Sequence, residues 1–447
     1  MAGIQPETGP VGGGTRFNYS WVILVTGILT VMGALGFARF GYATILPSMR
    51  EGLLLNNTQM GVIATGNLVG YTVFSVIGGF LASRFGPRIV ISCGLLLTGA
   101  TMFLTGTAGG LAGVVALRFL TGIGSAGSNI PVMGLISAWF PPERRGMAAG
   151  FLVGGSGFGF LITGFLVPGI ITAYPQNGWR LSWFILGGVV ALLGVLGWIL
   201  LRNSPAEKGL TPAGAKPDDQ LREPSGTPAD RMSEPATSAG AVNGRLDLAG
   251  GRGAISWSKV YGSPALWHLG LVYLFFGFSY IIYGTFFSAA MVSDKGFSQA
   301  QAGVVWSTIG VIGIFGGILW GVASDWLGRK YALAVVFGLQ AVSFFLFSVA
   351  GATATLYLSA FLYGLSAFSI PGIVAAACGD YMGPRLAPAA LGMVTLFFAV
   401  GQATAPSVAG YLADSAHSFS QAFLLAAAVA FLGGAGSLTL RPPKHKL

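Results

Sequence analysis

The sequence predicts an all-α integral membrane protein, with twelve transmembrane helices arranged as two pseudo-symmetric six-helix bundles. Three observations carry this. Hydrophobic residues make up 53% of the chain and charged residues only 9%, whereas a soluble domain carries about 25% charged residues. Apolar runs recur at the roughly 20-residue length that crosses a bilayer as a helix, and a β-barrel would instead show alternating segments of about ten residues. The first and second halves of the chain also repeat one another.

The first six helices are expected at about 20–47, 58–82, 89–110, 111–139, 146–172 and 181–201. Six more are expected at about 265–292, 300–323, 331–350, 354–379, 387–413 and 419–440. The 71 glycines suit such a bundle, because small residues let transmembrane helices approach closely. Thr58–Ile63 aligns with Ala300–Val305 at an offset of 242, and the same offset carries Gly79–Arg88 onto Gly321–Lys330. Gly150 answers Gly392 at that offset, and Ile130-Pro131 answers Ile370-Pro371 after a slip of two. Parallel six-helix repeats with a substrate site between them are a known carrier architecture.

The domains follow: a tail at 1–19, an N-terminal bundle at 20–202, a linker at 203–257, a C-terminal bundle at 258–440 and a tail at 441–447. The linker is rich in Pro, Ser, Gly and Ala, which predicts flexibility. The first apolar segment is too long for a cleavable signal peptide and should remain as a span. Placing the linker and both termini on one face puts Arg84, Arg88, Arg144, Arg145, Arg329, Lys330, Arg385, Arg441, Lys444 and Lys446 there, and the opposite face receives only Arg50, Arg180 and Lys295. The positive-inside rule makes the first face cytoplasmic. The net charge of +10 is therefore a topology signal scattered over span ends, and nucleic acid is not expected as a partner.

These residues carry a resemblance to the major facilitator superfamily that covers nearly the whole chain outside the tails and linker. The family's signature loop is matched by Gly321, Asp325, Gly328, Arg329 and Lys330 between the eighth and ninth helices. The first-half copy keeps Gly79, Arg84, Gly86 and Arg88 but has Ser83 where the Asp is usual and Pro87 before Arg88. The resemblance implies that both loops act in conformational gating. Arg118 followed by Gly122 and Gly124 resembles the family's fourth-helix motif, whereas the fifth-helix Gly-Pro motif of drug/proton antiporters is not evident in Gly150–Gly159. Gly36–Tyr42 followed by Pro47, and Gly401-Gln402 followed by Pro406 and Gly410, are similar to bacterial carriers of organic anions and monocarboxylates.

Charge distribution points to the substrate. None of the 14 acidic residues falls inside an expected span, yet Arg39 and Arg118 do. A guanidinium at mid-bilayer depth costs roughly 2.5–3.5 kcal/mol on insertion scales and stays protonated. With no acidic neighbour in sequence, an anionic visitor is the expected compensation. Arg39 offers a planar donor fork to a carboxylate or phosphate, and Tyr42 shares its helical face. The competing reading has Arg39 snorkelling outward or bonding backbone carbonyls. Arg118 has a structural or coupling alternative, and Asn129, on its face beyond Gly122 and Ser125, could bond a substrate oxygen or a neighbouring helix. No helix core of the second half carries a charge, so its wall should supply aromatic surface and hydrogen bonds from Tyr280, Tyr283, Trp306, Tyr363 and Gln402, each with packing as the alternative.

No enzyme is expected. His268, His417 and His445 lack ligand spacing, no phosphate-cradling Gly-x-x-x-x-Gly-Lys-[Ser/Thr] occurs, and Cys93 and Cys378 give no disulfide framework. The reading is a secondary or facilitative transporter of a small organic anion, a carboxylate first, working by alternating access as a multi-pass monomer of a bacterial inner membrane, without cofactor or metal. The rival is efflux of amphipathic drugs or metabolites. Lacking an intramembrane carboxylate for proton relay, the carrier is expected to work by exchange, facilitated movement or entry of a proton on the substrate.

Overall fold

The computed structural model describes residues 18–140, 142–210 and 257–441. The numbered helices are α1 (Ser20–Leu53), α2 (Asn57–Phe85), α3 (Pro87–Thr105), α4 (Leu111–Trp139), α5 (Pro142–Ala173) and α6 (Gly178–Leu200), followed by α7 (Pro264–Ser293), α8 (Gln299–Leu327), α9 (Arg329–Val349), α10 (Thr353–Gly383), α11 (Leu386–Ala416) and α12 (Ser420–Leu438). Eleven are long and apolar enough to cross a membrane unbroken, and α2, bent by 47° near Ser75, supplies the twelfth. The count matches the expectation, but two boundaries do not. The first helix runs through Pro47 to Leu53, and the third stops at Thr105, where Gly106–Gly110 make the turn.

The repeat is visible in the backbone. Both α2 and α8 open with a reciprocal capping box, Asn56 with Gln59 and Ser298 with Gln301, at the offset of 242. Both end at a glycine with positive φ, 87° at Gly86 and 81° at Gly328, a conformation that L side chains rarely adopt. Within each bundle the helices close on small residues. A Cβ at Gly122 of α4 would strike the Asn67 carbonyl of α2, and one at Gly36 of α1 would lie 2.6 Å from the Gly159 Cα of α5. Large apolar side chains such as Phe165, Leu192, Phe315 and Phe431 are exposed on the outside, as suits a lipid-facing surface.

The linker expectation falls mostly outside the described residues, as do the tails at 1–17 and 442–447. The linker's first residues are folded: a 3-10 turn, Pro205–Lys208, sits against the N-terminal bundle, and the Asn203 side chain accepts the Arg88 backbone N–H at 2.9 Å. Its last residue starts a short helix, Trp257–Tyr261, beside the stretch Ile370–Ala416 that holds the end of α10 and α11.

The bundles meet along α1–α7, α2–α11 and α5–α8. They are sealed at the end away from the linker and apart at the linker end. At Gly157 and Gly164 of α5, an added Cβ would run into α8, and at Gly61 of α2 it would run into the Pro406 backbone of α11. Nearer the linker, at Gly146 and Gly150 of α5, Gly79 of α2, Gly321 of α8 and Gly392 of α11, it would meet nothing within 4 Å among the described residues. The conformation is open toward the linker face.

Candidate functional site

The site is built on an irregular turn of α1. Met32–Phe40 is π-helical, with the Gly41 N–H bonding the Gly36 carbonyl five residues back. Such segments are rare and recur at functional sites. This one lies where α1 presses against α5 at Gly36 and Gly159, and it carries Arg39.

Arg39 is half-buried and faces the other bundle. Its guanidinium lies 4.3 Å above the ring centre of Tyr71 on α2 and beside the Tyr280 hydroxyl of α7. Nε and Nη2, the two nitrogens of one edge of the fork, are buried and have no hydrogen-bond partner. That edge is the one that matches a carboxylate's two oxygens. It lines a cavity of about 10 Å³, roughly one water's room, with Phe40, Tyr42, Asn67 and Arg118 from one bundle and Ile281, Gly284 and Thr285 from the other. A larger ligand requires these walls to part.

Arg118 is in the same cavity wall and is committed through Nη1, while its Nε is buried without a partner. It is 1% exposed, donates through Nη1 to the Ala38 carbonyl at 2.6 Å, and lies 5.1 Å from the ring centres of both Tyr42 and Trp183. Its own carbonyl accepts from Asn67 Nδ2 at 3.2 Å. The bond to Ala38 falls where the π segment returns to α-helical register, so Arg118 braces the turn that presents Arg39. The space at Gly122, one turn on from Arg118, is filled by α2. Tyr42 is likewise tied down, donating its hydroxyl to the Met60 carbonyl at 2.9 Å.

Asn129 of α4 donates through Nδ2 to the Tyr71 hydroxyl at 2.8 Å, and its Oδ1 is buried with no partner. Across the interface the Tyr280 hydroxyl donates to Gln402 Oε1 at 3.3 Å, while the Tyr280 ring stacks on Phe276 at 4.6 Å. Arg39, Tyr42, Arg118, Asn129, Tyr280 and Gln402 thus form one central layer. Tyr283, Tyr363 and Trp306 do not join its open wall. Tyr283 stacks on Tyr363 at 4.1 Å and shares a 3.1 Å hydrogen bond with Ser359, and Tyr363 donates to the Tyr280 carbonyl at 3.1 Å. Trp306 is fully buried between Phe160 of α5 at 4.3 Å and Phe287 of α7 at 5.7 Å. With Phe40 and Phe368 against Phe160, this makes an aromatic plug across the two bundles.

Two groups have a part that the sequence does not assign them: Tyr71, and Asp414, which the sequence places at the outer end of the eleventh helix and outside the cavity. Tyr71 sits one turn from Asn67 on α2, a polar pair at helical spacing that could have marked the face. Asp414 of α11 lies at the sealed end, where it accepts the backbone N–H groups of Asn57 at 2.9 Å and Thr58 at 2.7 Å and the Thr58 hydroxyl at 2.5 Å. A carboxylate of one bundle thereby caps the N-terminus of α2 in the other. On the pseudo-symmetric side, Gln299 of α8 accepts from Ser48 at 3.0 Å and donates to the Thr44 carbonyl at 2.8 Å.

At the signature loops, Asp325 pairs with Arg329 at 2.5 Å, and Arg329 reaches Asp380 of α10 at 3.1 Å and Ser324 at 2.5 Å. Lys330 lies 5.5 Å from the Tyr331 ring and Arg84 5.6 Å from the Phe85 ring, both local contacts. In the first-half loop Ser83 bonds only its own helix at Phe80, and Arg88 donates to the Trp198 carbonyl at 2.9 Å.

Comparison with known proteins adds three findings. The profile described as Major Facilitator Superfamily matches residues 28–397. A probable sulfoacetate transporter of Cupriavidus necator is 25% identical over 441 residues, covering 94% of both chains, and a hexuronate transporter of Bacillus subtilis is 24% identical over 397 residues, covering 86% of both. Among solved structures, a bacterial homologue of the human lysosomal transporter Spinster, inward-facing and unoccupied, superposes with a TM-score of 0.71 at 16% identity, covering 97% of this chain and 100% of that one.

Proposed function

The chain belongs to the major facilitator superfamily and is a membrane transporter rather than an enzyme, and we propose that it carries a small organic anion, a carboxylate, by alternating access. The observation that carries this reading is the unpartnered Nε/Nη2 edge of Arg39 in the layer between the bundles. A buried donor pair without an acceptor costs free energy in the empty carrier. An anion entering from the linker face would supply that acceptor. Snorkelling is disfavoured, because Arg39 is held over Tyr71 at the bundle interface. The names of the relatives, for sulfoacetate and hexuronate, support an anionic substrate.

In this reading Arg39 holds the anionic head, Arg118 positions the π turn, and Tyr280 and Gln402 close the second wall. The linker and termini face the cytoplasm, so this conformation is inward-open and the aromatic plug with the Asp414 contact forms the outer gate. One chain encloses one complete pathway and works as a monomer.

Binding to purified protein tests the anion site. With a panel of acetate, benzoate, gluconate and glycerol 3-phosphate, Arg39→Lys should weaken the best anion at least tenfold, because a point charge replaces the fork. Arg39→Gln should lose about a hundredfold, since each hydrogen bond to a charged group contributes about 1.5–3 kcal/mol. Undiminished affinity in Arg39→Gln would refute the anion site and favour efflux of uncharged or cationic amphiphiles.

A further inference from the structure

The polar groups around Arg39 do more than call for an anion. Tyr71 links two unsatisfied groups of opposite kind. Over its ring lies the Arg39 guanidinium, whose carbon is 4.3 Å from the ring centre and whose Nε/Nη2 edge is unpartnered, and at its hydroxyl sits the Asn129 amide, bound at 2.8 Å through Nδ2. With Nδ2 turned to the tyrosine hydroxyl, Oδ1 points away from it. Oδ1 is then an acceptor with no donor, on a residue only 8% exposed. Of the other polar groups of the layer, the Tyr280 hydroxyl bonds Gln402, the Tyr42 hydroxyl bonds Met60 and Arg118 bonds Ala38 through Nη1, which leaves Arg118 Nε as a further donor without an acceptor.

An anion alone would leave Asn129 Oδ1 unmatched. The complementary ligand carries a hydrogen-bond donor as well as a carboxylate. That donor is not an ammonium group. A neutral amide oxygen cannot offset a full positive charge in a layer that already holds the Arg39 and Arg118 guanidinium groups, and α4 carries no carboxylate. A hydroxyl fits, because it brings a donor without charge.

We propose that Asn129, oriented by Tyr71, reads a hydroxyl on the transported anion, so that the carrier selects hydroxylated carboxylates over their deoxy counterparts. This rests on the anion-site reading of Arg39 and adds a second point of recognition. A site built around a polar partner discriminates strongly against the analogue that lacks it, because its own group is then buried unpaired.

The test is a set of matched pairs bound to the purified, intact carrier: glycolate with acetate, 3-hydroxybutyrate with butyrate, and 4-hydroxybenzoate with benzoate, with gluconate as a polyhydroxylated acid. In the wild type, at least one hydroxylated member should bind about tenfold or more tighter than its partner. Asn129→Ala should bring that ratio close to one. Tyr71→Phe, which keeps the ring under Arg39 but frees the amide, should reduce the ratio part of the way.

Equal affinities within every pair would overturn the proposal, as would a preference that survives Asn129→Ala. The same holds for failure of every hydroxylated acid to bind. Preference for a keto or dicarboxylic analogue would also overturn it, because the amide would then be presenting its NH2. Failure of the anion site itself reads differently: Arg39→Gln would then bind both members of each pair as the wild type does, whatever their ratio.

Discussion

Asp414→Asn isolates the charge that holds the sealed end shut. In the structure the carboxylate takes three hydrogen bonds from the start of α2, at 2.9, 2.7 and 2.5 Å, all of them across the bundle interface. A hydrogen bond to a charged group contributes about 1.5–3 kcal/mol when shielded, and a carboxylate at a helix N-terminus adds roughly 0.3–1 kcal/mol. Asparagine retains one acceptor oxygen and loses the charge. Asp414 is only partly buried, so screening by solvent reduces the loss to about 1–2 kcal/mol, which moves the conformational equilibrium roughly 5- to 30-fold toward opening at that end. The assay is labelling of Ser407→Cys by a membrane-impermeant maleimide, in a background with Cys93→Ser and Cys378→Ser. Ser407 is hydrogen-bonded to Thr65 at 2.9 Å inside the seal and should react only when the bundles part there. Labelling should accelerate by the same factor in Asp414→Asn, and Asp414→Glu should recover part of the closure. An unchanged rate in Asp414→Asn would refute the reasoning and leave the seal to the glycine contacts and the aromatic plug alone.

The two signature loops should respond unequally. Asp325→Asn breaks the Asp325–Arg329–Asp380 chain and should change Ser407→Cys labelling several-fold, whereas Ser83→Ala, whose hydroxyl bonds only Phe80, should stay within about twofold; equal effects would contradict the asymmetry. Gly159→Val should lower the melting temperature of the purified carrier by several degrees, since its Cβ meets the Gly36 backbone and overpacking costs about 1–3 kcal/mol. A melting curve superimposable on the wild type's would show that α1 and α5 can separate without penalty. Protease applied to inside-out vesicles should cut between residues 211 and 256, and cutting only from the other face would reverse the proposed orientation.

The architecture was legible in the chain because its signals are local. Runs of apolar residues match the bilayer thickness, the offset of 242 pairs Gly86 with Gly328 and Asn56 with Ser298, and each of these is a property of a short segment. Arg39 was legible for a related reason, since a charge within an apolar span stands out wherever the helix is placed. What the two arginines do was not legible. Arg39 and Arg118 are equally conspicuous as letters, but one finds a backbone carbonyl 80 residues away at Ala38 and the other finds none for two of its nitrogens. The π turn of α1, pressed against α5, brings the Ala38 carbonyl to Arg118 Nη1 and leaves one whole edge of Arg39, with the single Nε of Arg118, without an acceptor. Tyr71, Asp414 and the Phe160–Trp306–Phe287 plug were hidden in the same way, because aromatic and capping residues acquire their roles from partners on other helices. Local pattern determined the helices and their duplication, while the assignment of each polar group to a partner depended on which helix faces the bundles turned toward each other, a choice made by close packing at glycines far apart in the chain.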